Sequence, residues 1–248
     1  MKEKIYTIPV NDSFSKNCEC PLCDLESKLE KEAVDYSLGA AMMEPDFRIL
    51  SNDLGFCNKH YSLLINKKNK LGLALVLDTH LEELRNKFAA LNKDIISYEN
   101  EKPSLFKKSN ENFPDLITRV LDDAQNSCII CDKISKTLER YIDVIFYLWA
   151  HDEEFRKKVT NGKGFCMRHF NILCKEAFSN LNKKTALEFV KTIYEKQIKE
   201  LERIQTDIHK FTLKFDYRNK DLDLGEAHNA PIRTIEKISG YISDNSPE

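Results

Sequence analysis

The stretch Gly164-Phe165-Cys166-Met167-Arg168-His169 decides the fold, because a close copy, Gly55-Phe56-Cys57-Asn58-Lys59-His60, occurs 109 residues earlier. A CxxC motif precedes each copy, with cysteines at positions 20 and 23 before the first and at 128 and 131 before the second. A shared Phe-Arg dipeptide, Phe47-Arg48 and Phe155-Arg156, lies between the two motifs of each half. Agreement at both the cysteine motifs and this dipeptide predicts an internal duplication.

Each half of the chain offers three thiolates and one imidazole, the donor set of a tetrahedral structural Zn²⁺ site. Between CxxC and CxxH lie 33 residues in the first half and 34 in the second. We therefore predict two Zn²⁺ ions per chain, each held within one repeat by a CxxC and the CxxH that follows it. The predicted metal ligands are Cys20, Cys23, Cys57 and His60 in the first repeat and Cys128, Cys131, Cys166 and His169 in the second.

An iron–sulfur cluster is the alternative occupant, since three cysteines and one histidine can also hold one. Clusters usually use more closely spaced cysteines, which favours zinc. Four protein ligands leave no open position on the metal, so the sites are expected to be structural. The sequence indicates no catalytic residue and no other cofactor-binding residue, and it does not favour an enzyme.

Composition points to a helical protein of ordinary solubility. The chain of 248 residues is 42% hydrophobic and 31% charged and has only 7 Gly and 7 Pro, which argues against a turn-rich β architecture. A net charge of −2 argues against nucleic acid as a partner. No apolar run suits a membrane span or a signal peptide, so we expect a cytoplasmic location, where cysteines bind metal rather than form disulfides.

The predicted fold class is all-α: a duplicated helical repeat, each copy stapled by one Cys₃His zinc site, with long antiparallel helices packed together. The predicted boundaries are 1–98 for the first repeat, 99–113 for a linker, 114–215 for the second repeat and 216–248 for a C-terminal extension. Pro9 and the polar residues 11–13 predict an extended lead-in over residues 1–17.

Two long helices carry apolar residues at alternating steps of three and four, which predicts seams packed against other helices. The first helix is expected from Leu71 to Tyr98 and the second from about Lys184 to Phe215. The predicted seams are Leu77, Leu81, Leu84, Phe88, Leu91, Ile95 and Tyr98 on the first, and Leu187, Val190, Tyr194, Ile198, Leu201, Ile208, Phe211 and Phe215 on the second. A short helix is expected from Pro231 to Ser239.

Two cysteines lie outside the predicted ligand sets. Cys18 has no counterpart in the second repeat, where Asn126 is aligned. It could exchange into the metal site or act as a redox-sensing thiol, but an unliganded thiol is the favoured interpretation. Cys174 is expected to be a core residue.

Several other polar residues are candidates for a second site. His80 and His151 each lie beside carboxylates, although solvated helix faces commonly produce such clusters; His209 and His228 have no such neighbours. The recurring arginines Arg48 and Arg156 are expected to pack and cap helices. Residues 214–220 mix aromatic and basic side chains, as nucleic-acid contacts do, but a segment docked back on the helices is the better interpretation.

The paired CPLC…GFCxxH and CxxC…GFCxRH motifs, with Phe215-Asp216-Tyr217-Arg218 after the last long helix, resemble those of a family of uncharacterised bacterial proteins of unknown function, some labelled ABC-transporter substrate-binding proteins. The resemblance covers nearly the whole chain and implies no known activity. The favoured role is an interaction scaffold or adaptor with a protein partner. The alternatives are an enzyme or small-ligand receptor with a pocket between the repeats, and a thiol-based redox sensor.

Overall fold

The structure of the protein is a computed structural model that describes residues 4–99 and 113–243. Within these ranges the chain forms α-helices and three short 3₁₀ helices, and no strand, which confirms the predicted all-α class. The α-helices are α1 Lys4–Phe14, α2 Pro21–Ser37, α3 Pro45–Leu54, α4 Asn58–Ile65, α5 Lys70–Glu99, α6 Phe113–Asn126, α7 Ile129–His151, α8 Glu153–Asn161, α9 Met167–Asn180, α10 Lys183–Leu213 and α11 Ala230–Ser239. The 3₁₀ helices are Ala40–Met43, Tyr217–Asn219 and Gly225–Asn229.

The described chain divides into two compact units that do not follow the sequence repeats. Within the described residues, unit 1 comprises 4–29 and 136–243, and unit 2 comprises 30–99 and 113–135. The division falls within α2 and α7, so each of these helices contributes to both units. The predicted domain boundaries at residues 98, 113 and 215 concern the sequence repeats and stay predictions. Most of the predicted linker lies outside the described residues.

The predicted extended lead-in is wrong, because residues 4–14 form helix α1. Pro9 removes one backbone donor from this helix. Burial of Val10 and Phe14 in the core compensates for that loss. The polar residues near its end serve tertiary contacts: the Ser13 hydroxyl donates to the carbonyl oxygen of Pro21 at 2.6 Å, which ties α1 to the start of α2.

The core of unit 1 is built around the aromatic end of α7. Trp149 and Phe146 are almost completely buried, and both rings contact Phe189 of α10 edge-on, with centroids 5.1 and 5.3 Å away. Phe14 from α1 packs on Phe155 of α8, with centroids 4.8 Å apart. Such aromatic contacts contribute both buried area and preferred geometry.

The predicted seam of α10 is wrong in its orientation. Leu187, Tyr194 and Ile198 are exposed. The buried face of α10 lies one residue away on the helix, and polar side chains interrupt its apolar periodicity. It consists of Ala186, Phe189, Ile193, Gln197, Glu200 and Ile204. The polar members are used in tertiary contacts described below.

Helix α5 of unit 2 also buries a different face from the one predicted. It packs against α3 and α6, with Leu73, Val76 and His80 buried. Of the predicted seam residues from 77 to 95, only Leu91 is buried, while Leu81 is 66% and Phe88 47% exposed. The side chain of Tyr98 lies outside the described part of the chain. A strongly apolar strip of α5 is therefore left on the surface of this unit.

The predicted C-terminal helix is confirmed as α11. Pro231 lies in its first turn, and Gly240 ends it with a φ of 99°, a conformation that favours glycine. Helix α11 packs against α9 and α10 in unit 1.

We predict that Phe14→Ala lowers the free energy of unfolding of unit 1 by about 3–5 kcal/mol, because it leaves a cavity beside Phe155. Fluorescence of Trp149, the single tryptophan, follows unfolding of this unit in denaturant. Ile5→Ala on the same helix is the control; Ile5 is 79% exposed and its loss should change stability by less than about 0.5 kcal/mol. Equal effects of the two variants would show that α1 is not packed as described.

Candidate metal centres

The structure brings the eight predicted ligands into two Cys₃His clusters, but it pairs the half-sites differently from the prediction. Site 1 consists of Cys20, Cys23, Cys166 and His169, and lies in unit 1. Site 2 consists of Cys57, His60, Cys128 and Cys131, and lies in unit 2. Each CxxC therefore meets the CxxH of the other repeat, and the predicted pairing within each repeat is wrong. The two kinds of half-site are chemically identical in both repeats, so spacing could not distinguish the pairings.

Site 1 is compact and buried. The three sulfur atoms of Cys20, Cys23 and Cys166 each lie 3.4 Å from Nδ1 of His169, and the sulfur atoms of Cys23 and Cys166 are 3.5 Å apart. A tetrahedral Zn²⁺ with bonds of about 2.3 Å to sulfur and 2.0 Å to nitrogen requires S···N separations near 3.5 Å and S···S separations near 3.8 Å. The donor atoms of site 1 fit one such ion.

Site 2 has the same geometry with more exposure to solvent. Nδ1 of His60 lies 3.2 Å from the sulfur atoms of Cys57 and Cys128 and 3.4 Å from that of Cys131. The sulfur atoms of Cys57 and Cys131 are 3.7 Å apart. Cys131 is exposed, whereas all four ligands of site 1 are buried. A metal in site 2 would be the more accessible of the two.

The Gly-Phe-Cys sequence explains how each CxxH half-site forms. Gly55 and Gly164 have φ values of 58° and 75°, which reverse the chain just before the ligands. Cys57 and Cys166 are then the N-cap residues of α4 and α9, and the backbone N–H of His169 donates to the Cys166 sulfur at 3.5 Å. A thiolate at a helix N-terminus is stabilised by the helix dipole.

Each of these glycines is also packed closely by a polar side chain from a long helix. A Cβ at Gly55 would lie 2.4 Å from Nε2 of His80, and a Cβ at Gly164 would lie 2.9 Å from Oε1 of Gln197. The Gln197 amide accepts from the backbone N–H of Phe165 at 3.1 Å and donates to its carbonyl oxygen at 2.9 Å. The polar residues on the inner faces of α5 and α10 therefore hold the ligand-bearing turns.

A carboxylate from α2 lies behind each histidine, a feature that the sequence analysis missed. Nε2 of His60 is 3.2 Å from Glu30, and Nε2 of His169 is 3.5 Å from Glu26. Both glutamates are buried. The hydrogen bond to Glu30 fixes the tautomer of His60 with Nδ1 directed at the metal. Among the described residues Nε2 of His169 has no hydrogen-bond partner, and its contact with Glu26 is the longer one. The basic residue before each histidine, Lys59 or Arg168, contacts the same glutamate.

The two sites join their CxxC and CxxH loops by different hydrogen bonds. In site 2 the backbone N–H of Ile129 donates to the carbonyl oxygen of Gly55 at 3.1 Å. In site 1 the corresponding residue is Pro21, which has no N–H to donate. There the buried ammonium of Lys237 on α11 donates to the carbonyl oxygens of Glu19 and Lys163, at 2.8 and 2.6 Å. The C-terminal helix thus completes site 1.

An ion network around Glu19 anchors α11. The buried Glu19 carboxylate lies 2.6 Å from Arg203, 3.3 Å from Lys237 and 3.7 Å from Arg233. Burial raises the pKa of Glu19, but Arg203 and Lys237 outweigh that effect and lower it. Burial lowers the pKa of Lys237, and Glu19 opposes that effect. Removal of one partner would leave an uncompensated buried charge.

The pKa shifts within each cluster favour one thiolate beside protonated neighbours. Hydrogen bonds from Cys20 and Cys23 lower the pKa of Cys166, while the contact with Cys166 raises the pKa of Cys23 to about 12. In site 2 a hydrogen bond from Cys131 lowers the pKa of Cys128 to about 3. Burial opposes protonation of His60, but Cys128 and Glu30 raise its pKa to about 10. A divalent cation would displace these protons and balance the thiolates.

Neither extra cysteine belongs to a cluster. Cys18 is half-buried, and burial raises the pKa of its thiol. It lines a cavity of about 240 Å³ beside the CxxC of site 1. The lining residues are Cys18, Glu19, Cys20, Cys23, Asp24, Ser27, Glu236, Tyr241 and Ile242. Cys174 is half-buried at the edge of the unit 1 core, in partial agreement with the core position expected for it.

The residues proposed for a second site make local structural contacts. Arg48 donates to the carbonyl oxygen of Leu75 at 2.9 Å, and Arg156 donates to that of Trp149 at 2.5 Å near the end of α7. Nδ1 of His80 and Nδ1 of His151 each form a hydrogen bond with a backbone carbonyl oxygen. These contacts agree with a packing and capping role for the arginines.

His209 and His228 also lie away from both clusters, and His228 bonds the Gly225 carbonyl oxygen.

The segment 214–220 docks on the helices only in part, since the Phe215 ring contacts Phe211 of α10 with centroids 5.5 Å apart. Phe215 and Tyr217 are each 78% exposed. Two cations of the segment are bound locally: Arg218 pairs with Asp216, and Lys214 donates to the carbonyl oxygens of Lys220 and Leu222.

Comparison with known proteins places the chain in a family without assigning an activity. A family model described as "Family of unknown function (DUF6062)" matches residues 1–245, and the chain therefore belongs to this family. Neither a curated protein nor a solved structure matched the chain. Of the helices in the described ranges, none has the length and apolar character needed to cross a membrane.

Paired serine variants distinguish the two ways of joining the half-sites. Cys20→Ser with Cys166→Ser affects site 1 alone, so the chain should retain one metal ion in competition with a chelator. Cys20→Ser with Cys57→Ser removes one ligand from each site, so both ions should be held weakly. Elemental analysis of the purified variants measures the difference. Pairing within repeats would give the opposite result, and the double variant of Cys18 and Cys174 should retain both ions.

We predict that Glu30→Gln weakens metal binding at site 2 by about 10–100-fold, because His60 loses the carboxylate that orients its ring. Competition with a chromophoric chelator measures this change. Glu32→Gln, an exposed position on the same helix, is the matched control and should leave affinity unchanged. An unaltered affinity in Glu30→Gln would contradict the assigned role of the carboxylate.

Proposed function

We propose that the protein is a zinc-dependent helical scaffold, in which two structural Zn²⁺ ions hold the helices in place for binding another protein. The observation that carries the proposal is the closed set of four donors at each site. Three sulfur atoms and one imidazole nitrogen per site would fill the coordination of a tetrahedral ion and leave no position for a substrate. A buried carboxylate behind each histidine supports permanent rather than transient occupancy.

The spacing of the donors supports a single ion in each site over an iron–sulfur cluster. The four ligand atoms of each site lie within 4.8 Å of one another. A cluster would place several iron and sulfide atoms between its ligands, and the ligands would then be farther apart. Thiolate-rich sets of this size suit Zn²⁺ among the common cations.

The scaffold role is supported by where the sites lie in the fold. Site 1 joins the starts of α2 and α9, and site 2 joins the starts of α4 and α7. Each ion would therefore fix the relative position of helices that are distant in sequence. The surfaces of these units carry apolar side chains, including Ile232, Ile235 and Ile238 on α11, which are suited to a protein partner.

The proposal includes a reducing compartment such as the cytoplasm. The eight cysteines are all within the described residues, and none forms a disulfide. Thiolate ligands require such conditions to remain bound to metal.

A thiol-based redox sensor is the second candidate, favoured by one observation: Cys18 shares a cavity with the site 1 ligands Cys20 and Cys23. Oxidation by peroxide would join two of these thiols in a disulfide, with peroxide reduced to water and the metal released. Zinc release from the wild-type chain at low peroxide, slowed in Cys18→Ser, would support this role. Equal rates of zinc release from the wild-type chain and Cys18→Ser would contradict this role.

We predict that the purified chain contains two zinc ions, and that a chelator in the presence of a reductant lowers its thermal midpoint by about 10 °C or more. Circular dichroism and elemental analysis follow helicity and metal together. Release should occur in two phases, with site 2 first because Cys131 is exposed. Adding Zn²⁺ back should restore the fold. A metal-free chain of unchanged helicity and midpoint would contradict the structural role.

A further inference from the structure

The uncovered flank of α5 points to an interaction that the metal sites do not explain. Leu77, Leu81, Leu84 and Phe88 follow one another at steps of four, three and four residues, the spacing of positions that pack in a two-helix coiled coil. We name these four residues the α5 stripe. Leu81 is 66%, Phe88 47% and Leu77 39% exposed within the described protein.

The α5 stripe is distinct from the face that holds α5 in its own unit. Leu73, Val76 and His80 form the buried face, and successive residues on a helix turn by about 100°. The stripe therefore lies on the neighbouring flank of the same helix. A helix with two adjacent apolar faces is typical of one that packs inside its own fold on one side and against a second helix on the other.

The charges beside the α5 stripe indicate which helix covers it. Asp78 and Arg85 each follow a stripe residue by one position, so both lie along the same edge. Both side chains are exposed. Within the described residues Arg85 has only a long contact of 4.0 Å to Glu82, and no ion pair of Asp78 is seen. The edge therefore offers one negative and one positive group, seven residues apart, for pairing with another molecule.

We propose that a second copy of this chain covers the α5 stripe in an antiparallel, two-fold symmetric helix pair. A two-fold axis between Leu81 and Leu84 sets Leu81 against Leu84 of the other copy and Leu77 against Phe88. The same axis places Asp78 of each copy beside Arg85 of the other, which gives two equivalent ion pairs. A self-complementary patch of this kind is what an isologous dimer requires.

The inference goes beyond the proposed zinc scaffold and does not depend on which metal is bound. The contact is short, with four apolar residues from each copy, so the dimer should dissociate on dilution. Its ion pairs should make it weaker at high salt, since exposed charges are screened.

Sedimentation equilibrium of the full metal-loaded chain tests the proposal over a concentration range of about three decades. The mass should rise from the 28.9 kDa of one chain toward twice that value. Leu81→Lys should abolish the rise, whereas Leu71→Lys, at a 73% exposed position outside the stripe, should not. Metal content and helicity of each variant show that its fold is intact and separate this test from that of the zinc sites.

Charge reversal tests the antiparallel arrangement. Asp78→Arg and Arg85→Asp should each weaken the dimer by about tenfold, because each replaces two ion pairs by two like-charge contacts. The double variant exchanges the charges and should restore the wild-type dissociation constant. A chain that is monomeric at every concentration, a dimer insensitive to Leu81→Lys, or a double variant no stronger than the single ones would each overturn the proposal.

Discussion

The convergence of four donor side chains from two distant half-sites on one point is the constraint on which each unit depends. In site 1 the sulfur atoms of Cys23 and Cys166, 143 residues apart in sequence, lie 3.5 Å from each other. In site 2 His60 and Cys128, 68 residues apart, are 3.2 Å apart. Three thiolates held this closely repel one another, so all three can be deprotonated together only when a cation neutralises them. The fold and its metal content are therefore expected to be coupled.

The two sites share a plan but are supported differently. Each has a glycine with positive φ, a cysteine at the N-cap position of a helix and a carboxylate behind the histidine. Site 2 closes its loops with a backbone hydrogen bond from Ile129, whereas Pro21 prevents that bond in site 1. Lys237 supplies the missing donors there, and its own charge requires Glu19. The C-terminal extension thus has a structural purpose that belongs to site 1.

The sequence was sufficient for the ligands and for the helical class, because cysteine spacing and helical periodicity are local properties. It was insufficient for pairing, since both half-sites occur twice with the same chemistry. Loop entropy does not distinguish the pairings either: joining Cys166 to Cys23, 143 positions away, rather than to Cys131, 35 positions away, costs only about 1 kcal/mol more. Glu26 and Glu30 were missed because both come from α2, and the aligned positions of α7 are Ile134 and Leu138. The buried face of α10 was missed because Gln197 and Glu200 interrupt its apolar pattern.

Anomalous scattering from crystals of the full chain at the zinc absorption edge tests the central claim most directly. The account predicts two peaks. One should be surrounded by the sulfur atoms of Cys20, Cys23 and Cys166 and by Nδ1 of His169, and the other by the donors of Cys57, His60, Cys128 and Cys131. A peak bounded by Cys20, Cys23, Cys57 and His60, or no peak at either cluster in zinc-containing crystals, would contradict it.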